Sequence, residues 1–299
     1  MEVRLRTDAP QPFFQQDSVT LYGGDCLDIM AQLPEESVDM VFADPPYNLS
    51  NGGITCHAGR MVSVDKGQWD RSSGPAQDHE FTLRWLSACR RVIKDDGSIW
   101  VSGTMHNIYS VGFALQELGF KLLNDITWFK PNASPNLSCR YFTHSHETLI
   151  WAARSPESRH VFNYDTMREM AGGKQMRSYW RDIPTDPEPP DVWVEGTPRR
   201  EEKTHGKHPT QKPVALLSRV ILSSTHEGDT VLDPFAGSST TGVAAIRHGR
   251  AFIGIESEPE YLELSAHRLE ETLAQMSQNP HLPTSPAQDA VAPTQLRAM

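Results

Sequence analysis

A nearly continuous apolar segment that ends in a carboxylate and two prolines constrains this chain most. Residues 38–43 read VDMVFA, and Asp44, Pro45, Pro46 and Tyr47 follow directly. An apolar run of this length is typical of a strand buried on both faces of a parallel sheet. In open α/β sheets, ligands bind beyond the carboxyl ends of such strands. The sequence therefore predicts a functional loop at these four residues.

Further short apolar runs alternate with segments of helical periodicity along the chain. Other strands are predicted at 18–22, 98–103, 121–129, 147–153, 230–232 and 251–256, and helices at 26–33, 81–93, 107–118, 214–224 and 258–276. Strands separated by helices indicate an α/β fold, with a mostly parallel sheet and helices on both of its faces.

The composition is that of a globular protein. Of the 299 residues, 38% are hydrophobic and 22% are charged, which suits a buried core of ordinary size. No apolar run approaches the ~20 residues that cross a bilayer. Residues 1–14 lack the apolar core of a secretion signal, which predicts a cytoplasmic protein. The four cysteines are scattered, so we expect neither a disulfide framework nor a metal site.

The first loop carries two hydrogen-bond acceptors on a stiff backbone. The Asp44 carboxylate and the Pro45 carbonyl are adjacent in sequence, and proline fixes φ and offers no N–H of its own. Tyr47 adds an aromatic face. This combination suits a planar amine that donates two N–H bonds while its ring stacks on the tyrosine. A plain Pro-Pro turn with Asp44 as a cap is the alternative interpretation.

A second loop, VLDPFAGSSTTG at residues 231–242, leads from a strand into a helix. Small residues around Gly237 let the backbone approach a ligand, and the helix N-terminus offers free N–H groups to an anion. The next strand ends in Glu256, where a carboxylate can accept hydrogen bonds from ribose hydroxyls. The loop lacks the GxGxxG pattern, which disfavours a nicotinamide dinucleotide. Taken alone, it fits an ordinary packing turn as well.

With both loops present, the chain resembles the β group of S-adenosylmethionine-dependent DNA amino-methyltransferases. The resemblance spans residues 18–270 and includes DPPY upstream of the FAGSS loop, in the permuted order of that group. It also rests on GDCLDIM (24–30), LPEESVDMVFADPPYN (33–48), RRVIKDDGSIWV (90–101), THSHETLIWAAR (143–154), HPTQKP (208–213) and LDPFAGSSTTGVAAIRHGRAFIGIE (232–256). The chain is most similar to solitary bacterial adenine-N6 enzymes. One departure is Ser239, where many members have glycine.

The resemblance implies a Rossmann-like methyltransferase fold and methyl transfer from S-adenosylmethionine to adenine N6 in double-stranded DNA, with the target base flipped out. Asp44, Pro45, Pro46 and Tyr47 are then the catalytic residues. Cytosine-N4 methylation is the nearest alternative, although cytosine members usually carry serine in place of Asp44. An RNA or protein-amide methyltransferase and a non-catalytic DNA-binding regulator are further alternatives.

The same resemblance implies a cofactor site that includes the second loop. Its predicted members are Asp25, Cys26, Thr210, Lys212, Asp233, Phe235, Ala236, Gly237, Ser238 and Glu256. Asp25 and Cys26 would meet the cofactor's adenine, Glu256 its ribose, and Lys212 with Thr210 its carboxylate. A solvent-exposed lysine is an equally good interpretation of Lys212. The histidines lack a metal-binding arrangement, so no metal is expected.

The net charge of −10 argues at first against a nucleic-acid partner. The excess of acidic over basic residues lies outside residues 154–212, however, since that segment has a net charge of +1, against −6 for residues 1–153 and −5 for residues 213–299. Basic residues cluster within this segment. Lysine and arginine bind DNA phosphates, and arginine also reads guanine edges, so the cluster predicts a DNA contact. The predicted DNA-binding residues are Arg168, Lys174, Arg177, Arg181, Arg199 and Arg200.

The domain plan follows from these patterns. Residues 1–153 are predicted as the first part of the catalytic domain, 154–212 as a target-recognition insertion, 213–276 as its cofactor-binding part, and 277–299 as a disordered tail. The Gly- and Ser-rich stretch 48–74 shows no periodicity and is interpreted either as a loop that closes over DNA or as a plain surface loop. A homodimer is expected by family analogy.

Overall fold

The computed structural model describes residues 10–50, 54–57, 60–63, 66–130, 133, 135–178, 193–194, 202, 206 and 208–278. The strands within these residues are β1 (Phe14–Gln16), β2 (Val19–Gly23), β3 (Val38–Ala43), β4 (Ile54–His57), β5 (Arg60–Ser63), β6 (Ile93–Gly103), β7 (Lys121–Phe129), β8 (His146–Ala153), β9 (Trp193–Val194), β10 (Thr230–Asp233) and β11 (Ala251–Glu256). The helices are α1 (Cys26–Met30), α2 (Pro75–Val92), α3 (Ile108–Glu117), α4 (Tyr164–Met170), α5 (Val214–Ser224), α6 (Thr240–Arg247) and α7 (Pro259–Gln278), with a 3₁₀ turn at Gln68–Asp70.

Nine of the described strands form one sheet, in the order β1-β2-β11-β10-β3-β6-β8-β7-β9. The run from β2 to β6 is parallel throughout. β8 is antiparallel to both β6 and β7. The carboxyl ends of β2, β11, β10, β3 and β6 therefore meet at one edge of the sheet, together with the amino end of β8.

Both faces of the sheet are covered by helices. Met40 and Phe42 of β3 pack in a core layer with residues of α5, α6 and α7. Val41 and Ala43 of the same strand pack in a second layer with residues of α1, α2 and α3. This two-sided burial explains why β3 is almost uniformly apolar, and it confirms the predicted fold class.

Two irregular regions of the sequence contain structure that the patterns did not predict. Within the stretch 48–74, β4 and β5 pair as an antiparallel hairpin, and a 3₁₀ turn at Gln68–Asp70 follows. Within 154–212, α4 packs beside α5, and the Asn163 side chain donates to the Leu222 carbonyl at 2.7 Å. The hairpin shows no periodicity in the sequence because strands of four residues are too short to show a clear alternation. Residues 279–299 of the predicted tail lie outside the described residues.

Candidate active site

A cavity of about 420 Å³ opens at the sheet edge where the parallel strands end. The two loops predicted from the sequence follow the neighbouring strands β3 and β10, and both line this cavity. The predicted residues that line it are Asp25, Cys26, Asp44, Pro45, Pro46, Thr210, Lys212, Asp233, Phe235, Ala236, Gly237, Ser238 and Glu256. Tyr47, the remaining member of the predicted site, is 5% exposed. The register of the sheet thus brings together residues that are more than 200 positions apart in sequence.

Asp44 follows β3 and is held by two side chains. The Tyr47 hydroxyl lies 2.6 Å from Asp44 Oδ1, and the Lys212 ammonium bonds to Asp44 Oδ2. Burial raises the pKa of Tyr47 well above its usual value, and Asp44 and Glu147 raise it further. The phenol therefore stays protonated and can donate its single hydrogen. The Pro46 carbonyl accepts from Asn107 Nδ2 at 3.4 Å.

Lys212 is a buried cation, so the alternative interpretation of a solvent-exposed lysine was wrong. It is 6% exposed and lies between two carboxylates, bonding to Asp44 with Glu147 Oε2 3.8 Å away. Burial alone would lower the pKa of Lys212, but Asp44 and Glu147 outweigh it and raise that pKa. The sequence did not predict this contact with Asp44, because sequence alone does not fix the direction of a long side chain.

Glu147 completes the network from the amino end of β8. Its carboxylate pairs with Lys130 and lies 3.1 Å from the Tyr47 hydroxyl. Burial alone would raise the pKa of Glu147, but Lys212 and Lys130 outweigh it and hold that pKa below its usual value. Sequence reasoning missed this residue, although it lies in the THSHETLIWAAR segment that carries the family resemblance.

Asp70 fixes the backbone of the loop that contains Tyr47. It is 1% exposed, and its carboxylate accepts from the N–H groups of Tyr47 at 3.0 Å and Leu49 at 3.1 Å. The Ser50 hydroxyl donates to it at 2.9 Å. Three donors on one buried carboxylate hold the chain rigidly just after Asp44. No pattern in the sequence indicates this role.

The second loop is shaped by Asp233. Its carboxylate accepts from the Thr241 hydroxyl at 2.6 Å and the Phe235 N–H at 3.0 Å, so it ties β10 to α6. Burial raises the pKa of Asp233 to about 7. Gly237 has a φ of +53°, and a Cβ there would lie 3.0 Å from the His208 ring. A side chain at this position would therefore crowd His208, so both the backbone conformation and the close packing favour glycine.

Ser239 adopts a left-handed conformation at the start of α6, with a φ of 52°. It is fully buried, and its hydroxyl is among the buried side-chain groups without a hydrogen-bond partner in the described structure. Glycine adopts this backbone conformation at no steric cost. The serine is therefore a strained substitution at the position where many family members have glycine.

Glu256 and Asp25 also line the cavity. Glu256 accepts from the Gly237 N–H at 2.7 Å and the Glu258 N–H at 2.8 Å, and burial raises its pKa. Asp25 caps α1 by accepting from the Leu27 N–H at 2.7 Å. Each carboxylate thus has a structural bond and still faces the cavity. Their contacts with a cofactor stay predictions, as do those of the other lining residues.

His208 packs against the mouth of the cavity. Its ring centroid is 4.2 Å from that of Tyr261, and its Nδ1 lies 3.2 Å from the Thr210 hydroxyl. Burial lowers the pKa of His208 to about 3, and Lys212 adds to this shift. The ring is therefore neutral at ordinary pH. Among the described residues, no group of three or more histidine, cysteine or acidic side chains could hold a metal ion.

Of the predicted DNA-binding residues, Arg168, Lys174 and Arg177 are described, and all three are exposed. Arg168 Nε donates to the Gly173 carbonyl at 2.8 Å. The other three predicted residues, Arg181, Arg199 and Arg200, lie outside the described residues. In the part of the chain that the structure covers, no helix has the length and apolar character that crossing a membrane requires.

A comparison with protein families identifies the family of this chain. The DNA methylase family N6_N4_Mtase matches residues 38–267, which is more than half of the chain and includes both loops. The chain belongs to this family. It is an S-adenosylmethionine-dependent DNA methyltransferase, as the resemblance predicted.

Individual relatives agree with this assignment. The Type II methyltransferase M2.DpnII of Streptococcus pneumoniae is 51% identical over 261 residues, covering 87% of this chain and 92% of that protein. The Type II methyltransferase M2.MboI of Moraxella bovis is 48% identical over 263 residues, with the same two coverages. The more specific resemblance to solitary enzymes stays a prediction.

Solved structures support the fold of the methyltransferase. The M1.HpyAVI–SAM complex has a TM-score of 0.60 and 27% identity, covering 84% of this chain and 98% of that one. The PvuII DNA methyltransferase (cytosine-N4-specific) has a TM-score of 0.64 at 22% identity, covering 90% and 94%, and shows likeness of fold alone.

The cavity fits S-adenosylmethionine in the nature of its lining groups. The small residues Ala236, Gly237 and Ser238 line the cavity beside the first residues of α6, and the first N–H groups of a helix have no intrahelical acceptor, which suits an anionic carboxylate. Glu256 and Asp25 supply acceptors on the cavity wall. These observations agree with the cofactor expected from the sequence.

Proposed function

We propose that this methyltransferase methylates the N6 amine of adenine in double-stranded DNA, after the target base has been flipped out. The observation that carries the proposal is the position of Asp44. Its carboxylate and the adjacent Pro45 carbonyl are acceptors on the wall of the cavity, which the cofactor loop 233–238 also lines.

The chemistry of the amine explains why two acceptors are needed. The lone pair of the adenine N6 amine is delocalised into the ring, so the nitrogen is a poor nucleophile. When Asp44 and the Pro45 carbonyl each accept one of its hydrogens, a pyramidal nitrogen with a localised lone pair is favoured. S-adenosylmethionine supplies a methyl group on a positively charged sulfur and leaves as a neutral thioether.

Asp44 also has the charge that the reaction needs. Positive charge develops on the amine nitrogen as its bond to carbon forms, and a carboxylate fixed beside it stabilises that charge. Asp44 then accepts the proton that the nitrogen loses. The protein contributes chiefly by positioning the two reactants and by electrostatics.

Base flipping is part of the proposal because the amine is paired inside the duplex. Extrusion costs a few kcal/mol of unstacking and unpairing. Tyr47 is the proposed stacking partner of the extruded base, and the bonds of its hydroxyl to Asp44 and to Ser102, 2.7 Å away, support a fixed ring orientation.

Cytosine-N4 methylation remains the second candidate, since the family name covers both N6 and N4 enzymes. The same two acceptors would suit the exocyclic amine of cytosine. Adenine is supported by Asp44, where the resemblance leads us to expect serine in cytosine enzymes.

We further propose that residues 154–212 recognise the DNA target. The exposure of Arg168, Lys174 and Arg177 supports this role, because lysine and arginine at the surface can neutralise phosphates. A homodimer remains a prediction, and light scattering of the purified protein would test it.

One experiment tests the proposed reaction. Purified wild-type protein is incubated with unmethylated duplex DNA and S-adenosylmethionine carrying an isotopically labelled methyl group, and the DNA is digested to nucleosides for mass spectrometry. We expect the label in N6-methyl-2′-deoxyadenosine. Label in N4-methyl-2′-deoxycytidine would establish the alternative, and an unlabelled digest would contradict both.

A further inference from the structure

Two carboxylates and two ammonium groups meet around the Tyr47 hydroxyl. Lys212 bonds to Asp44, and Lys130 bonds to Glu147. The side chains of Lys212, Glu147 and Asp44 are 6%, 12% and 14% exposed, so water screens these charges poorly. The four groups have no net charge together, which makes their burial tolerable.

Hydrogen-bond counting shows that the two carboxylates share their donors. The Tyr47 hydroxyl has one hydrogen but lies 2.6 Å from Asp44 Oδ1 and 3.1 Å from Glu147 Oε2. The Lys212 ammonium has three hydrogens. It bonds to Asp44 Oδ2 and reaches the Thr210 carbonyl at 3.4 Å, with Glu147 Oε2 3.8 Å away. Either donor can pass from one carboxylate to the other by a small movement.

This arrangement conflicts with the chemistry proposed for Asp44 unless Lys212 moves. While the ammonium bonds to Oδ2, it competes with the target amine for that acceptor. Its positive charge is also unfavourable beside a nitrogen on which positive charge develops. Moving Lys212 away without another partner would leave a buried, unpaired cation, which is costly.

We propose that Glu147 is a positioning residue that takes over the Lys212 ammonium when the target amine binds to Asp44. This inference rests on the proposed function, since it assigns Asp44 to the amine. Glu147 keeps the ion pair with Lys130 throughout, which fixes its carboxylate beside Lys212. In the free enzyme, the shared lysine keeps the Asp44 carboxylate paired and oriented until DNA displaces it.

The test replaces Glu147 by the isosteric amide, Glu147→Gln, and measures single-turnover methyl transfer to duplex DNA at saturating cofactor and DNA. Without the negative charge on Glu147, Lys212 loses the second carboxylate that lies within 4 Å of its ammonium, and we expect it to stay on Asp44. We expect transfer to slow about tenfold to hundredfold, the usual effect of losing one hydrogen bond to a charged group. Binding of S-adenosylmethionine and of DNA should not change. Glu147→Asp, which keeps the charge, should slow transfer less.

Glu80→Gln is the matched control, because Glu80 is exposed and lies outside both this network and the segment 154–212. Glu147→Gln should also be combined with Lys212→Met. If Glu147 acts through Lys212, the second substitution should leave nothing further for Glu147→Gln to slow.

Three results would overturn the inference. The first is a wild-type transfer rate in Glu147→Gln. The second is a loss of cofactor or DNA affinity that accounts for its slower transfer. The third is a double variant whose rate reduction equals the product of the reductions in Glu147→Gln and Lys212→Met. A wild-type enzyme that transfers no methyl group to DNA would instead refute the proposed function, so the two failures are distinguishable.

Discussion

The replacement Asp70→Asn tests whether the loop that contains Tyr47 is positioned from a distance. Asp70 lies 23 residues beyond Tyr47 and does not take part in the proposed chemistry. Its two carboxylate oxygens accept from two backbone N–H groups and one hydroxyl. An asparagine amide has the same shape, but it retains one acceptor oxygen and directs N–H groups toward the other donors.

The magnitude follows from the bonds that are lost. A hydrogen bond to a charged group contributes about 1.5–3 kcal/mol, and the amide loses one or two of the three. We therefore expect Asp70→Asn to lower the free energy of unfolding by about 2–4 kcal/mol. Domains of this kind are stable by about 5–15 kcal/mol, so the variant should still fold.

The effect on catalysis should exceed the effect on folding. A displacement of about 1 Å at a reacting group can cost about a hundredfold in rate, and the Tyr47–Ser50 backbone would lose the bonds that fix it. We expect the single-turnover transfer rate to fall about a hundredfold, with S-adenosylmethionine affinity unchanged because Asp70 does not touch the 233–238 loop. Urea unfolding and single-turnover kinetics measure the two effects.

Asp229→Asn is the matched control. Asp229 also accepts a backbone N–H, that of His226 at 2.7 Å, but it precedes β10 at the opposite edge of the sheet. The Asp229→Asn variant should lose about 1 kcal/mol in free energy of unfolding and transfer methyl groups at the wild-type rate. The reasoning is refuted if Asp70→Asn loses stability but transfers methyl groups at the wild-type rate.

Four further predictions concern separate parts of the molecule. Asp44→Ala should abolish methyl transfer and leave cofactor affinity nearly intact in calorimetric titration; a large loss of cofactor binding would contradict the role given to Asp44. Replacing Arg177 and Arg181 by alanine should weaken DNA binding and flatten its salt dependence, and an unchanged salt slope would place the phosphate contacts elsewhere. Ser239→Gly should stabilise the protein by about 1 kcal/mol in urea unfolding, because it relieves a left-handed backbone and a buried unpaired hydroxyl, whereas Gly237→Ala should destabilise it. Burial lowers the pKa of His248 to about 4. Between pH ~6.5 and about pH 4 this histidine is therefore protonated in the unfolded chain but neutral in the folded protein, so the free energy of unfolding falls as the pH drops through that range. Between about pH 7.5 and about pH 5.5, the free energy of unfolding of His248→Gln should therefore fall by about 1.4 kcal/mol less than that of the wild type. Equal decreases in the two proteins would refute the lowered pKa of His248.

The parallel core of the sheet could be predicted from the sequence because its strands are buried on both faces. The run at 38–43 and the strand Ala251–Glu256 are nearly uniform in apolar character and end in a carboxylate or lead directly to one. Carboxyl ends of parallel strands meet at one edge, so Asp44, Asp233 and Glu256 could be placed together without coordinates.

Asp70 and Glu147 could not be found in the same way. Glu147 lies beside Tyr47 only because β8 runs antiparallel to β6, with Thr148 opposite Gly103. That register is not readable from periodicity. Asp70 lies in a 3₁₀ turn within a stretch that has no apolar pattern, and its partners are mainly backbone groups, which leave no trace in the sequence. The contact of Lys212 with Asp44 likewise depends on a side-chain direction.

The most direct test of the account is a map of modified bases in DNA taken from a methylation-free bacterial host that expresses the wild-type chain or Asp44→Ala. Single-molecule sequencing of that DNA reports base, position and sequence context together. We expect N6-methyladenine at one recurring sequence in the wild-type sample and none in the Asp44→Ala sample. N4-methylcytosine in the wild-type sample, or unchanged adenine methylation in the Asp44→Ala sample, would contradict it.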